Sequence, residues 1–313
     1  MCVLAIDLGG SHIGCGVARN GQVLISSSIE TDARSLRDLL SSIKQRLTEH
    51  CHSVGITPSS CQGIGIGFPA IVDAQNNELL STFMKFDDVT GSDLVEWANT
   101  EFGIPLKIEN DAKLALLGEH AAGAAVGFED VAMITLGTGI GVAAMLQNRL
   151  LHSRLGQAGQ LGGHISVNWN GRVCACGAIG CAEVEASTSV LPQIARSWPG
   201  FAQSSLSQEP VIDFGALFRN KDAGDRVAAK ILEHCIGVWS ALAVSLIHAY
   251  GPEIILFGGG VLQRHLEILP AIRTYVNLHG WKTTRGLPRI EVSALGGSAA
   301  LIGAASLFSE EKQ

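Results

Sequence analysis

At 313 residues the chain is long enough for one large or two medium domains with real cores. It is 47% hydrophobic and 16% charged and carries 37 glycines, which excludes a disordered chain and describes a Gly-punctuated globular one. A formal net charge of −7 with no basic stripe argues against nucleic-acid binding, yet a nucleotide substrate stays open because backbone amides can hold phosphate.

The first predicted element is an apolar strand, Val3–Leu8, ending in Gly9-Gly10-Ser11. A second strand follows at 13–18, then a turn at Asn20-Gly21 and a third strand at 23–28. A helix is predicted over 35–49, with Leu36, Leu39, Leu40, Ile43 and Leu47 on one face. Residues 63–69 read as a buried strand running into a loop, 94–102 as a helix, and 106–109 as a short strand before another helix. The opening pattern then recurs: Val131–Leu136 is an apolar strand ending in Gly137-Thr138-Gly139, Ile140–Leu146 is its partner, and Asn148 supplies a turn like that at Asn20. Two halves, each with a Gly-rich hairpin facing one cleft, would grip a polyphosphate from both sides. Gly-rich hairpins are also common in themselves, and the residues leave both readings open.

Arg226–Tyr250 is the longest helical pattern, stopped by Gly251-Pro252. Its apolar stretch, 235–247, is too short to span a bilayer and is expected to be a buried core helix. An apolar strand at 253–257 ends in Gly258-Gly259-Gly260, a triplet suited to close backbone approach to a ligand. A closing helix is expected at 298–308.

Between these lies the most telling stretch, with His164, Cys174, Cys176 and Cys181 inside eighteen residues. Three thiols and an imidazole make a complete tetrahedral set for structural zinc, leaving no position for water. Gly171, Gly177 and Gly180 allow the loop to fold back so that the donors converge. A disulfide is the poorer account, because the spacing is tight and one sulfur would be left over. The other five cysteines are scattered, and with no signal peptide the pattern suits a reducing cytoplasm.

Taken in order, the motifs resemble those of the ROK family of sugar kinases and sugar-responsive regulators, over essentially the whole chain. Asp7-Leu-Gly-Gly-Ser11 looks like its first phosphate motif, and Gly67-Phe-Pro69-Ala-Ile-Val-Asp73 is similar to its Gly-x-Pro-Gly-x-Val-Asp segment. Glu109-Asn110-Asp111-Ala matches its catalytic motif, Leu136-Gly-Thr-Gly-Ile-Gly141 its second phosphate motif, and Phe257-Gly-Gly-Gly-Val261 its adenosine-side glycines. The His/Cys loop with trailing Glu183 is its most diagnostic signature. The resemblance implies an α/β, two-domain actin-like ATPase fold (a duplicated ribonuclease H-like unit) with a zinc-binding loop. The expected domains are 1–112 plus 298–313, and 113–297.

The function so implied is ATP-dependent phosphorylation of a hexose or hexose derivative, at the 6-hydroxyl, in a homodimer. Asp111 would be the general base, although Asn110 and Asp111 taken alone are equally good helix caps. Asp7 would orient Mg²⁺ or its waters. Gly9, Gly10, Ser11, His12, Gly137, Thr138, Gly139, Gly258, Gly259 and Gly260 would line the ATP side. Asn110, Glu183, His164, Gln160 and Gly67 would face the sugar, with His164 also on zinc. The family usually reads Glu-x-Gly-His before the cysteine loop, whereas here the run is Gln160-Leu-Gly-Gly-His164. Either Gln160 replaces that Glu with one Gly inserted, or Leu161 takes its place. An amide both donates and accepts, so glucose is expected not to be the best substrate; otherwise Lys85, Asp87 and Asp88 would have to supply the missing hydroxyl contacts. The alternative is a non-catalytic sugar-binding regulator. A DNA-binding helix-turn-helix would precede the first phosphate strand, which here begins at residue 3, so the DNA-binding form is disfavoured.

Overall fold

In the computed structural model, which describes residues 1–9, 12–30, 35–81 and 86–309, the chain opens as an antiparallel meander. Strands β1 (Val3–Leu8), β2 (His12–Arg19) and β3 (Gln22–Glu30) pair in sequence. The β2–β3 turn holds Asn20 at φ 52° and Gly21 at φ 74°, the left-handed pair that a tight hairpin turn demands. Next come α1 (Leu40–Ser53), β4 (Ile64–Phe68), the hairpin β5 (Ile71–Asp73) and β6 (Glu78–Ser81), α2 (Gly91–Phe102), β7 (Leu106–Asn110) and α3 (Asp111–Ala122). The second meander is β8 (Val131–Leu136), β9 (Ile140–Leu146) and β10 (Arg149–Leu150), with Gln147 and Asn148 at positive φ between the last two. After the cysteine loop follow α4 (Ala182–Ala186), α5 (Leu191–Ser197), α6 (Phe214–Asp222), α7 (Arg226–Tyr250), β11 (Ile254–Gly258), α8 (His265–His279), β12 (Arg289–Val292) and α9 (Ala299–Ser306).

The two five-stranded sheets have the same plan, β3-β2-β1-β4-β7 and β10-β9-β8-β11-β12. In each, a three-stranded meander is followed by two strands parallel to its first member. The recurrence of the glycine hairpins is thus one part of a duplicated topology. Strands β4 and β11 are buried along their whole length, as parallel strands covered on both faces must be.

The chain divides into two compact units, Met1–Phe128 with Ala143–Gln160 and Ser293–Gln313, and Glu129–Val142 with Leu161–Val292. The first unit thus extends past the expected 112 to Phe128, takes in Ala143–Gln160, and resumes at Ser293, ahead of the expected 298; packing accounts for the shift at 128 and 293. Helix α3 lies against α9 with glycines at the contact: a methyl on Gly118 would run into the Ala299 carbonyl, and one on Gly303 into that of Leu114. The fully buried Glu119 of α3 then accepts from Ala124 N, Ser293 Oγ, Ala294 N and Leu295 N, tying 293–295 to the first unit.

Helix α1 also starts later than expected. The Asp88 carboxylate takes the amides of Leu36 and Arg37 and the Ser35 hydroxyl, and a 3-10 turn at Arg37–Leu39 precedes α1. In the second unit α7 is the central helix. It is capped by Asp225 on the amides of Val227 and Ala228 and closed by Gly251 at φ 60°. Among the described residues it is long and apolar enough to cross a membrane, but 56% of its most apolar stretch is buried inside the protein, the pattern of a core helix. Its Trp239 is fully buried and spends its indole N–H on Ala186 O at 3.1 Å.

The glycine contacts give a paired stability test. Gly303→Ala is expected to cost about 1–3 kcal/mol, because α9 must move away from α3. Gly237→Ala, where no atom lies within 4 Å on α7, is expected to be neutral or to stabilise by up to about 1 kcal/mol. Urea unfolding of the two variants decides it; equal effects would mean that the α3–α9 contact is loose.

Candidate active site

The ends of three parallel strands bring the first group together. In register, Asp7 of β1 stands beside Gly67 of β4, and Gly67 beside Glu109 of β7. Asp111 follows two residues later as the first residue of α3. Gly67 has no side chain to hold these groups apart: a Cβ there would sit 3.3 Å from Asp7 Oδ1 and 3.5 Å from the Asp111 Cα. Asn110 caps α3, its Oδ1 accepting from Lys113 N at 3.2 Å, while its Nδ2 donates to Asp111 Oδ1 at 3.0 Å and to Ala70 O at 3.2 Å. Capping and site construction are therefore done by the same side chain.

Burial pushes the Asp7 carboxyl up to about 6. Asp111 is pushed up to about 7, first by burial and then by the like charge of Asp7. Such a carboxyl exchanges its proton near neutral pH, as a general base at this pH must.

Glu109, the first residue of the matched motif, and Lys113, which no sequence motif singles out, complete this group. Glu109 is 1% exposed; its Oε1 accepts from Asn110 N at 2.7 Å and its Oε2 bonds His152 Nε2 at 2.7 Å. Lys113 is fully buried with no hydrogen bond to Nζ; burial lowers its pKa against the opposing pull of Glu109 in β7. The place of Lys113 between the buried Ala112 and Leu114 of α3 was the one signal available for it.

In the second unit the turn 137–139 is held from behind. Thr188 N donates to Gly137 O at 3.1 Å and Ser189 N to Thr138 O at 3.0 Å. Every peptide among the described residues is trans, so the N–H of each of those peptide planes, on Thr138 and Gly139, points the opposite way from its bound carbonyl. Two successive amides aimed to one side form an anion-binding concavity. Glu183 Oε2 accepts the next amide, Ile140 N, at 3.0 Å. The matching turn of the first unit closes with Gly9 N on His12 O at 3.0 Å, as Gly137 N does on Gly139 O; Gly10 and Ser11 lie outside the described residues. Gly258 ends β11 and Gly260 opens a 3-10 turn, while Gly259, at φ 92°, leaves no room for a methyl against Leu136. That glycine is required by packing on β8.

The four expected metal donors converge. One ligand atom from each of His164, Cys174, Cys176 and Cys181 lies within 4.8 Å of all the others. Cys174 Sγ stands 3.7 Å from His164 Nδ1 and Cys176 Sγ 3.5 Å from Cys181 Sγ. Zn–S bonds of about 2.3 Å in a tetrahedron imply donor separations of about 3.8 Å, so the set fits zinc. Gly180 packs on Asn168 O, and the buried Glu185 takes Arg172 N at 2.7 Å, fixing the loop.

Around the departure from Glu-x-Gly-His, Gln160 is buried. Its Nε2 donates to Gly156 O and its Oε1 is left without a partner. Gly163 lies where a methyl would strike the Ile140 carbonyl, so the Gly pair before His164 is seated directly on β9. Asp88 is occupied in holding the segment before α1, and Lys85 lies outside the described residues.

The sequence pattern of the ROK family matches residues 3–311. The chain belongs to the ROK family. Among its relatives, the glucokinase of Thermotoga maritima is 28% identical, over 98% of this chain and 97% of that protein. The xylose repressor of Bacillus spizizenii is 25% identical, over 81% of this chain and 62% of the repressor. A ROK glucokinase from Streptomyces griseus, solved with glucose and AMPPNP, superposes with a TM-score of 0.81 at 28% identity, covering 98% of this chain and 99% of that one. The α/β fold is thus the one that ROK sugar kinases share.

The raised carboxyls carry a stability cost with a defined sign. A carboxyl raised in the folded state binds protons there more tightly than in the unfolded chain, so its ionised form destabilises the fold above about pH 7. That penalty fades as pH falls through 7 and is gone below the unfolded value near 3.8. Asp111→Asn is therefore expected to be more stable than wild type at pH 8, with the gap narrowing by pH 5 in urea unfolding. A gap independent of pH would contradict the raised value.

Proposed function

We propose that the chain transfers the γ-phosphoryl group of ATP to the 6-hydroxyl of a hexose or hexose derivative. The observation that carries this reading is Asp111, poised near neutrality beside Asp7 and oriented by Asn110. A primary hydroxyl is a poor nucleophile. Asp111 takes its proton as the new oxygen–phosphorus bond forms and the bond to ADP breaks. Asp7 orients Mg²⁺ of MgATP or its waters, and the Thr138 and Gly139 amides receive phosphoryl oxygens. Gly9, His12 and Gly258–Gly260 line the rest of the nucleotide side in this reading. Asn110, His164, Glu183, Gln160 and Gly67 serve the sugar. With its Nε2 committed to Gly156, Gln160 offers a neutral acceptor where a carboxylate would make charge-assisted bonds, and this favours a hexose other than glucose.

Zinc, held by His164, Cys174, Cys176 and Cys181, fixes the loop that carries His164 and leads into Glu183, and takes no part in the chemistry. The purified protein is expected to contain about one zinc per chain, and Cys176→Ser to lower both metal content and Tm. Metal-free protein of unchanged stability would end the zinc assignment.

Similarity to a repressor and the amide at Gln160 favour a second reading, sugar binding without catalysis. A coupled assay over glucose, mannose, fructose, allose and the N-acetylhexosamines separates the two. ADP release that depends on the sugar is expected, with glucose not the best by kcat/KM. Asp111→Asn is expected to reduce kcat by about 10²- to 10⁴-fold while sugar binding persists. Retention of more than about a tenth of kcat would remove Asp111 from the role of base.

A further inference from the structure

We propose that Glu183 is also the positioning residue of the turn 137–139, so that nucleotide binding depends on a side chain assigned to the sugar. This deepens the kinase reading above and rests on it. Three contacts fix the turn: Thr188 N on Gly137 O, Ser189 N on Thr138 O, and Glu183 Oε2 on Ile140 N. All three come from α4 and the residues just after it, and α4 itself starts immediately after Cys181. The first two contacts are backbone to backbone and survive any side-chain change. The third depends on Glu183 alone.

Packing supports the same role. Gly139 is seated directly on the Glu183 carboxylate, where a methyl would collide with Oε2. The other oxygen, Oε1, lies 4.0 Å from His164 Nδ1. One carboxylate therefore faces the phosphate turn with one oxygen and the Cys/His cluster with the other. An ionised carboxylate beside a phosphate site would repel the ligand unless its lone pairs were engaged; binding the Ile140 amide engages one of them and makes the bond charge-assisted. Losing that bond leaves the Ile140 N–H without its acceptor and frees the Gly139–Ile140 peptide, whose carbonyl closes the turn on Gly137 N. With that closure loosened, the Thr138 and Gly139 amides are held only by the contacts to their carbonyl partners. Because binding free energies are linked, a sugar that orders Glu183 raises nucleotide affinity by the same factor as nucleotide raises that of the sugar.

The test is calorimetric titration of the whole zinc-loaded protein with Mg²⁺–AMPPNP in the absence of sugar. Glu183→Ala is expected to weaken AMPPNP binding by about tenfold or more, the scale of one lost hydrogen bond to a charged group. Glu183→Gln keeps an oxygen for Ile140 N and is expected to stay within about threefold of wild type for AMPPNP while losing sugar affinity. Gly139→Ala, which leaves Glu183 in place but displaces its carboxylate, is expected to mimic Glu183→Ala on AMPPNP. It keeps the test available should Glu183→Ala fail to fold. Wild-type AMPPNP affinity in Glu183→Ala or Gly139→Ala would overturn the proposal and leave Glu183 a sugar ligand only. Absence of AMPPNP binding in the wild type is a different result, and it would overturn the kinase reading beneath it.

Discussion

Two carboxyls, those of Asp7 at the end of β1 and Asp111 at the start of α3, flank Gly67 closely enough for the charge of one to act on the other. Burial raises both, and the charge of Asp7 raises Asp111 further, so the fold pays for this in stability at and above neutral pH. Much of the first unit serves to keep that arrangement in place. Asn110 caps α3 and holds Asp111 with the same amide group, Glu109 anchors the Asn110 amide, and His152 anchors Glu109. Strain of this kind persists only where the surrounding structure over-determines it, and the proposed role of Asp111 as base would be a reason to retain it.

The second unit solves the complementary problem with the same topology. Where the first sheet presents carboxyls at its strand ends, the second presents amides, turned outward because their carbonyls are tied down by the residues after α4. The Cys/His loop leads directly into that helix, so the proposed metal site adjoins Glu183 in the chain, and Glu183 in turn holds the turn 137–139 through Ile140 N. Duplication of one sheet plan has in this way produced two different chemical faces.

What could be read from the sequence was local. An apolar run ending in Asp7-Leu-Gly-Gly, or in Leu136-Gly-Thr-Gly, declares a strand and its glycine turn within ten residues. The His/Cys loop likewise converges as its spacing and glycines imply. What escaped depends on partners far apart in the chain. His152 meets Glu109 across 43 residues, and Glu183 meets Ile140 across the same separation. The unit boundary hangs on Glu119 and Ser293, 174 residues apart, and no periodicity reports such a contact. Lys113 was overlooked because a lysine in a helix is ordinarily solvated, whereas this one is closed over completely. Helix α1 started late because Asp88, fifty residues on, holds the chain before it.

The account rests on the poise of Asp111, and this can be measured without substrate. Carbon-13 NMR of protein labelled at the aspartate carboxyls, with the Asp111 resonance assigned by its loss in Asp111→Asn, gives the midpoint directly. A midpoint near 7 in the wild type is predicted, moving down in Asp7→Asn as the like charge is removed but staying above 3.8 because burial remains. An Asp111 carboxyl that titrates near 4 in the folded wild-type protein, unmoved by Asp7→Asn, would contradict it.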